Sequence, residues 1–430
     1  MAPMADPTSR KLVGFEAFKL NRTTNPMTDK FEILKFHSLE FYCSDATNTS
    51  RRFTWGLGMS QVAKSDLSTG NKDYASYVIK SNELVFAFTA PYSTSEELKQ
   101  QDSSSKAPPH PNFDQGAAHN FVVKHGMAVK AVGISVTDAA EAYHLSTSNG
   151  AIGVLPPTTL KDATSGGSMC ISEIQMFGDT VIRWISSSGD FTGVFLPNYE
   201  ATTTPDLNFG LLRLDHAVSN VPNLFEAVDY LMHSVGLHEF SEFTAADVGT
   251  VDSGLNSMVL ASNNEFVLLP VNEPTFGTKR KSQIQTYLEH NNGAGMQHLA
   301  LMTEDIYATM REMRKRSFIG GFEFMPAPDS GYYDRIPSRI GSDTLSAAQI
   351  AELKELGLLV DRDDQGVLLQ VFTKPLGDRP TIFIEIIQRI GCDKTPEGHR
   401  KPQSAGCGGF GKGNFSELFK SIEEFEKSLE

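Results

Sequence analysis

The sequence predicts an α+β protein of two tandem halves, each a curved sheet of paired βαβββ modules, with a further helix at the C-terminal end. Three observations support this prediction. A set of motifs occurs twice in the same order, short apolar strands alternate with single helices, and a polar, Thr-rich segment separates the halves. Duplicated modules of this mixed kind bury their apolar faces in layered α+β domains.

The repeat consists of four pairs of short motifs. The paired positions are 34–37 with 212–216, 76–82 with 257–263, 126–138 with 295–304, and 180–184 with 381–385. The spacing between counterparts changes at two places, which coincide with a polar insertion over residues 94–116 and another over about 320–365. In this alignment the first-half positions His37, Val132 and Trp184 stand opposite His216, His298 and Glu385.

Helices are predicted from the spacing of apolar residues. This spacing indicates helices over 138–145 and 305–317. A third is predicted over 346–356, where Ser346 and Gln349 have the spacing of a capping box. The final helix follows a Gly-rich hinge at 406–413 and is expected to act as a lid. It carries an apolar stripe formed by Phe415, Leu418, Phe419, Ile422, Phe425 and Leu429.

These elements divide the chain into five expected parts. Residues 1–30 form an N-terminal extension without a functional signal, and 31–197 form a first domain without metal. Residues 198–208 form a linker, 209–405 a second, catalytic domain, and 406–430 the hinge with the final helix.

Composition narrows the functional class. The chain has 430 residues and a formal net charge of −14, which argues against a nucleic acid or an anionic membrane as partner. No apolar stretch is long enough to cross a membrane, and no secretory signal is recognisable. The expected location is therefore cytoplasmic, with the plastid as the alternative. The four cysteines lack CxxC spacing and are expected to be free thiols.

Glu385 is the most informative residue because it interrupts the apolar strand pattern of residues 381–387. A buried carboxylate requires a cationic partner or a metal. His216 and His298 lie on similarly apolar strands of the same half. Two histidines and one carboxylate are the ligand set of non-haem Fe(II) oxygenases, with zinc as the competing assignment. Each histidine alone could equally be a satisfied core residue.

Longer motifs accompany these three residues. They are SMVLA at 257–261, LPVNEP at 269–274, GMQHLA at 295–300 and GCGGFGKGNF at 406–415. With them, residues 31–430 resemble the 4-hydroxyphenylpyruvate dioxygenases of the vicinal-oxygen-chelate superfamily, in their plant-type form. The resemblance implies one Fe(II) per chain, a small aromatic 2-oxo acid and O₂ as substrates, homogentisate and CO₂ as products, and a homodimer.

The resemblance also implies a set of pocket residues. A polar group is expected to orient the substrate, with catalytic roles for Ser257, Asn272, Gln283, Gln297 and Gln370. Substrate contacts are expected from Pro270, Phe372, Phe383, Phe410, Asn414, Phe415 and Leu418. Two alternatives stay open at this point. One is a hydroxymandelate synthase acting on the same substrate, and the other is a non-catalytic protein that binds small aromatic molecules.

Overall fold

The computed structural model describes residues 10–22, 24–92, 108–162, 166–249, 253–391 and 406–427, and within them it contains two sheets. The first sheet comprises β1 Ile33–Tyr42, β2 Ser60–Ser65, β3 Tyr74–Ser81, β4 Leu84–Pro91, β5 Ala128–Val136, β6 Gly153–Lys161, β7 Ser168–Phe177, β8 Thr180–Ser187 and β9 Glu200–Ala201. The second comprises β10 Leu211–Asn220, β11 His238–Phe243, β12 Leu255–Ala261, β13 Leu268–Pro274, β14 Gly295–Thr303, β15 Leu359–Arg362, β16 Val367–Phe372 and β17 Phe383–Ile390.

Both sheets follow the same strand order. The first runs β6-β7-β8-β5-β1-β4-β3-β2-β9, and the second, taken from its opposite edge, runs β15-β16-β17-β14-β10-β13-β12-β11. In each sheet the two central strands are antiparallel, β1 with β5 and β10 with β14. Each central strand also has a parallel neighbour on its outer side. Each half is therefore a pair of βαβββ modules, which confirms the predicted α+β fold.

Helices pack against both sheets, and the final helix lies over the inner face of the second sheet. The longer helices are Ala46–Leu57, Gln115–His125, Ala139–Ser148, Leu224–Ser234, Gln283–His290, Ile306–Arg314, Ala347–Leu356 and Phe415–Lys427, and the shorter ones are Phe15–Asn21, Ala245–Val248, Ser330–Asp334 and Ile336–Ile340. The helix Ala46–Leu57 contacts β3 and β4, and Leu224–Ser234 contacts β12 and β13. Their buried residues join one large core with the outer faces of both sheets.

Local sequence signals place the ends of these helices. The three helices predicted over 138–145, 305–317 and 346–356 are confirmed. Asp138 and Asp305 cap the first two through their side chains, which accept hydrogen bonds from backbone N–H groups of the first turn. Ser346 and Gln349 form the predicted capping box of the third. The helix begins at Ala347 because this pair satisfies N–H groups that lack partners within the helix.

The alignment of the two halves by sequence is wrong by one residue on three strands. In the second sheet, His216 pairs with Ala300, which pairs with Glu385. In the first sheet, the same places in the ladder are taken by Ser38, Gly133 and Arg183. His298 likewise corresponds to Ala131, because His298 lies two residues before Ala300 and Ala131 lies two residues before Gly133. The counterparts of the three candidate ligands are therefore Ser38, Ala131 and Arg183.

On β5 and β8, the one-residue error in the alignment selected residues whose side chains lie on the opposite face of the sheet from the true counterparts of the candidate ligands. A shift of one residue turns a strand side chain to the opposite side of the sheet. Val132 and Trp184 accordingly lie in the outer core, where Trp184 packs edge-on against Phe31 with ring centroids 5.0 Å apart. The corrected counterparts, a serine, an alanine and an arginine, still provide no set of metal ligands in the first half.

In place of metal ligands, the inner face of the first sheet carries a cluster of buried charged side chains. Arg183 lies 2.7 Å from an oxygen of Glu40 and 2.7 Å from an oxygen of Glu173. All three residues are buried. Burial raises the pKa of the Glu173 carboxyl, but Arg183 and His110 more than offset this effect and hold it below its ordinary value. In the first half, the cation that stabilises the buried carboxylates is thus a protein side chain.

Three further expectations need correction or remain outside the described residues. The predicted linker contains β9, which pairs with β2 and covers that exposed edge of the sheet. Cys43 and Cys170 are free thiols as expected, but Cys407 is disulfide-bonded, because sequence spacing does not show which cysteines a fold brings together. Residues 94–107 of the first insertion and Leu429 lie outside the described residues, as does the side chain of Phe425. Among the described helices, none is long and apolar enough to span a bilayer.

Candidate metal centre and cavity

Three adjacent strands bring the two histidines and the glutamate together. His216 lies on β10, His298 on β14 and Glu385 on β17, and all point to the inner face of the second sheet. The Nε2 atoms of His216 and His298 lie 3.2 and 3.4 Å from Oε2 of Glu385. One ligand atom from each residue lies within 4.8 Å of the other two. This spacing fits a single metal ion.

The hydrogen bonds of the imidazole rings show what lies at the centre. Nδ1 of His216 donates to Asp215 (2.9 Å), and Nδ1 of His298 donates to Oε1 of Gln297 (2.9 Å). Since both partners are acceptors, each neutral ring presents a bare lone pair at Nε2. These lone pairs face an oxygen of Glu385, which is also an acceptor. With both rings neutral, these three acceptors need a cation between them, and a metal ion fits that place; without a metal, a proton on His216 meets the same need.

The pKa shifts describe the metal-free form of the site, in which the histidines donate hydrogen bonds to Glu385. Burial raises the pKa of the Glu385 carboxyl, but its hydrogen bonds to the two histidines outweigh burial and lower it to about 2. Burial lowers the pKa of His216, yet hydrogen bonds to Asp215 and Glu385 raise it overall. Burial lowers the pKa of His298, and its contact with Glu385 offsets this only in part. Glu385 is therefore an anion near neutral pH and attracts a cation.

A cavity surrounds these three side chains. Eleven residues expected from the sequence line it, namely Ser257, Pro270, Asn272, Gln283, Gln297, Gln370, Phe372, Phe383, Phe410, Phe415 and Leu418. Most of the wall is aromatic or aliphatic, with a few amide and hydroxyl groups at defined places. This composition is typical of a site for a small, largely apolar ligand.

Asn414 is the expected pocket residue that does not line the cavity. Its Oδ1 accepts a hydrogen bond from the Tyr332 hydroxyl at 2.8 Å, and the residue is fully buried. The neighbouring Gly413 N–H donates to Asp361 at 2.8 Å. Asn414 therefore anchors the start of the C-terminal helix to the protein.

Aromatic rings surround the metal ligands. The His298 ring stacks on Phe383 with centroids 5.0 Å apart, and Phe372 lies edge-on to His298 at 6.0 Å. On the opposite side, Phe410 lies edge-on to His216 at 5.2 Å. Offset and edge-on arrangements of this kind are favourable contacts between rings. They fix the orientation of both imidazoles.

The C-terminal helix closes one side of the cavity. Phe415, Leu418, Phe419 and Ile422 contribute to the wall, which matches the predicted apolar stripe of this helix. The turn before the helix approaches β16 so closely that a Cβ on Gly411 would lie 2.3 Å from Oε1 of Gln370. Gly411 also has a φ of +75°, which favours glycine. A larger residue at this position would displace the Gln370 side chain and strain the turn.

Sequence reasoning missed several wall residues. Val218, Val259 and Phe419 also line the cavity, and a signal for each was present. Val218 and Val259 lie two residues after His216 and Ser257 on the same strand faces, and Phe419 belongs to the apolar stripe. Phe243, at the end of β11, carried no comparable local signal.

The N-terminal extension, which carries no functional signal in the sequence, contacts the cavity wall. Phe15 stacks on Phe243 with centroids 5.4 Å apart and an interplanar angle of 8°, and Phe243 in turn contacts Phe415 at 5.5 Å. Lys412 lies over the Phe15 ring, with Nζ 4.1 Å from the centroid. No local pattern could have predicted contacts between residues more than two hundred positions apart.

Comparison with known proteins agrees with the fold. The family model described as the Glyoxalase/Bleomycin resistance protein/Dioxygenase superfamily matches residues 213–371. The chain is also similar, with a TM-score of 0.73 and 21% identity, to a mutant of 4-hydroxymandelate synthase from Streptomyces coelicolor, over 92% of this chain and 100% of that one. At such identity the match shows the shared fold alone.

Full-length relatives are closer in sequence. The 4-hydroxyphenylpyruvate dioxygenase of Plectranthus scutellarioides is 57% identical over 428 residues, which cover 99% of this chain and 95% of the relative. The enzyme of the same name from Arabidopsis thaliana is 58% identical over 429 residues, which cover 98% and 93%. The chain therefore belongs to the 4-hydroxyphenylpyruvate dioxygenase family.

Proposed function

We propose that this protein is a non-haem Fe(II) dioxygenase that converts 4-hydroxyphenylpyruvate and O₂ to homogentisate and CO₂. The observation that carries the proposal is the convergence of His216, His298 and Glu385 on one point in a buried cavity. Full-length relatives named for this activity support the choice of substrate. The chain would hold one ferrous ion.

Iron is preferred over zinc for the metal. Two imidazoles and a carboxylate are the ligand set of non-haem Fe(II) oxygenases. Zinc also accepts two histidines and a glutamate, but zinc has no accessible redox chemistry and does not activate O₂. A ferrous ion held by these residues supplies that redox chemistry, which the protein side chains lack.

The side chains of the cavity bind and orient the substrate. Burial of a phenyl ring against Phe372, Phe383 and Phe415 provides non-directional affinity, at about 25 cal/mol for each Å² removed from water. The amides of Asn272 and Gln283 provide polar partners that fix the orientation of the ring and its hydroxyl. We assign Ser257, Gln297 and Gln370 to the same polar set.

Gln297 has a second task beside substrate orientation. Its Oε1 accepts hydrogen bonds from Nδ1 of His298 (2.9 Å) and from Nδ2 of Asn272 (3.4 Å). It therefore fixes the His298 tautomer that directs Nε2 toward Glu385. The closed C-terminal helix excludes water from this environment, which protects a reactive oxidant from side reactions.

Product analysis tests the proposal. Protein reduced and loaded with Fe(II) under anaerobic conditions is mixed with 4-hydroxyphenylpyruvate and air, while O₂ uptake is recorded and the aromatic product is identified by mass spectrometry. We expect homogentisate, formed in a 1:1 ratio to O₂ consumed. Metal-free protein and Glu385→Gln serve as controls without turnover. Hydroxymandelate as the product, or ligand binding without O₂ uptake, would overturn the proposal in favour of one of the two alternatives.

We propose two further properties, a homodimer in solution, which the family resemblance implies, and a cytoplasmic location with the plastid as the alternative. Light scattering tests the first, and imaging of a fluorescent fusion in plant cells tests the second. We also propose 31–197 and 209–405 as the two domains. The repeated strand order supports this division, and separate expression of residues 209–430 tests it.

A further inference from the structure

We propose that Asp215 and Arg389 are positioning residues that couple the metal ligand His216 to the docking of the C-terminal helix. The inference rests on the proposed function in one respect, namely that a metal binds at the three-residue site. It goes beyond that function because it makes metal binding and closure of the helix mutually dependent.

The first link joins the metal ligand to a buried ion pair. Asp215 accepts a hydrogen bond from Nδ1 of His216 at 2.9 Å. The same carboxylate accepts two hydrogen bonds from Arg389, from Nη2 at 2.7 Å and from Nε at 3.1 Å. The side chains of Asp215 and Arg389 are both fully buried. A bidentate pair in such surroundings has a fixed geometry, so a movement of His216 is transmitted to Arg389.

The second link joins the ion pair to the Gly-rich turn. The remaining terminal nitrogen of Arg389, Nη1, donates to the backbone oxygens of Cys407 at 2.5 Å and Gly409 at 2.7 Å. The ring of Phe410 lies 5.7 Å from the guanidinium carbon and 5.2 Å from the His216 ring. Arg389 thus contacts the carboxylate behind the metal ligand and the turn that leads into the C-terminal helix.

The two ends of this chain of contacts depend on each other. A metal on Nε2 fixes the ring of His216 and strengthens donation from Nδ1 to Asp215. Asp215 then holds Arg389 where Nη1 meets the two carbonyl groups. When the turn at 406–411 moves away, the buried guanidinium of Arg389 loses these two acceptors. It must then reorient, and this movement disturbs its ion pair with Asp215. Since coupling between two equilibria is reciprocal, the docked helix must favour the metal as much as the metal favours docking.

The second histidine provides an internal comparison. Nδ1 of His298 donates to Gln297, which is held by Asn272. Both partners lie on strands of the sheet, and neither bond reaches the turn at 406–411. Loss of Gln297 should therefore weaken metal binding without changing the response of the helix. His216 is the histidine that connects to the moving element.

The experiment measures two quantities besides activity. The first is the affinity for Co(II), followed anaerobically by visible absorption, and the second is hydrogen exchange of the helix amides at 416–422 with and without Co(II). In the unmodified protein, Co(II) should slow helix exchange about 10-fold, within the usual range of allosteric coupling. In Arg389→Lys this response should disappear and, since the coupling is reciprocal, the Kd for Co(II) should rise by about the same factor of 10.

Control variants separate coupling from general destabilisation. Gln297→Leu should raise the Kd but keep the response of helix exchange to Co(II). Arg183→Lys alters an equally buried, carboxylate-paired arginine of the first half and should change neither quantity. Phe419→Ala weakens docking of the helix without contacting the Asp215–Arg389 ion pair and should raise the Kd for Co(II). This variant still tests the coupling if Arg389→Lys does not fold.

The outcomes distinguish this inference from the proposed function. If Co(II) leaves helix exchange of the unmodified protein unchanged, or if Arg389→Lys and Phe419→Ala both bind Co(II) with unaltered affinity, the coupling is refuted, whatever product the enzyme forms. If the iron-loaded protein forms no homogentisate while Co(II) still protects the helix, the proposed reaction fails and the coupling stands.

Discussion

Replacing Phe419 with alanine tests whether the C-terminal helix docks as a separate unit. Phe419 is almost completely buried against residues of β12 and β13, in a cluster that includes Val259 and Leu268. Truncation of a buried phenylalanine to alanine costs about 3–5 kcal/mol. The helix is connected to the rest of the chain through a Gly-rich turn at one end. We therefore expect the cost to fall on docking rather than on folding of the sheets.

The magnitude follows from this cost. At about 1.4 kcal/mol for each factor of ten, a loss of about 3 kcal/mol lowers the ratio of docked to undocked helix about 100-fold. Burial of Leu418, Phe419 and Ile422 contributes about 1.5–3 kcal/mol for each side chain, so one truncation removes a large share of the docking energy. Turnover should fall as well, because the opened cavity admits water.

Hydrogen exchange provides the assay. Exchange of the amides at 416–422 should accelerate about 100-fold in Phe419→Ala, whereas the midpoint of global thermal unfolding should change little. Lys420→Ala is the matched control on the same helix, since its ion pair with Glu417 is exposed and contributes little. Unchanged exchange in Phe419→Ala would refute the reasoning, and so would a large drop in global Tm, which would make the helix part of the cooperative core.

Three other outcomes are expected. Glu385→Gln should retain the fold, as judged by circular dichroism, but lose metal-dependent turnover; full activity would disprove its role as ligand. Phe372→Ala should raise the KM for 4-hydroxyphenylpyruvate at least 10-fold through lost aromatic contact, and an unchanged KM would remove Phe372 from the substrate site. Burial, with Arg183 and Lys35 nearby, lowers the pKa of His37 to about 4. Because the unfolded chain then binds more protons, His37 reduces stability as the pH falls from about 6.5 to about 4. His37→Ala should flatten that part of the stability profile in chemical denaturation and leave metal affinity unchanged.

The sequence predicted those features that depend on local chemistry. Glu385 could be found because a carboxylate is anomalous in an apolar strand, and the capping box of Ser346 and Gln349 because its signal extends over only three residues. The alternation of apolar and polar residues also sufficed to predict the βαβββ modules, since a period of two residues indicates a strand wherever one face is buried.

Register and long-range contacts could not be predicted in this way. A strand has nearly the same apolar pattern after a shift of one residue when both faces are buried, and so Trp184 was aligned in place of Arg183. The contact of Phe15 with Phe243 joins distant segments, and the burial of Asn414 against Tyr332 depends on an insertion whose helices pack only in the folded protein. None of these contacts has a signature in neighbouring residues.

Arg183 has a consequence for how the two halves respond to loss of metal. Its positive charge belongs to the chain itself, so a chelator cannot remove the partner of Glu40 and Glu173. Glu385 in the second half depends on an exchangeable cation for the same stabilisation. Removal of the metal should therefore loosen the second half and leave the first half assembled.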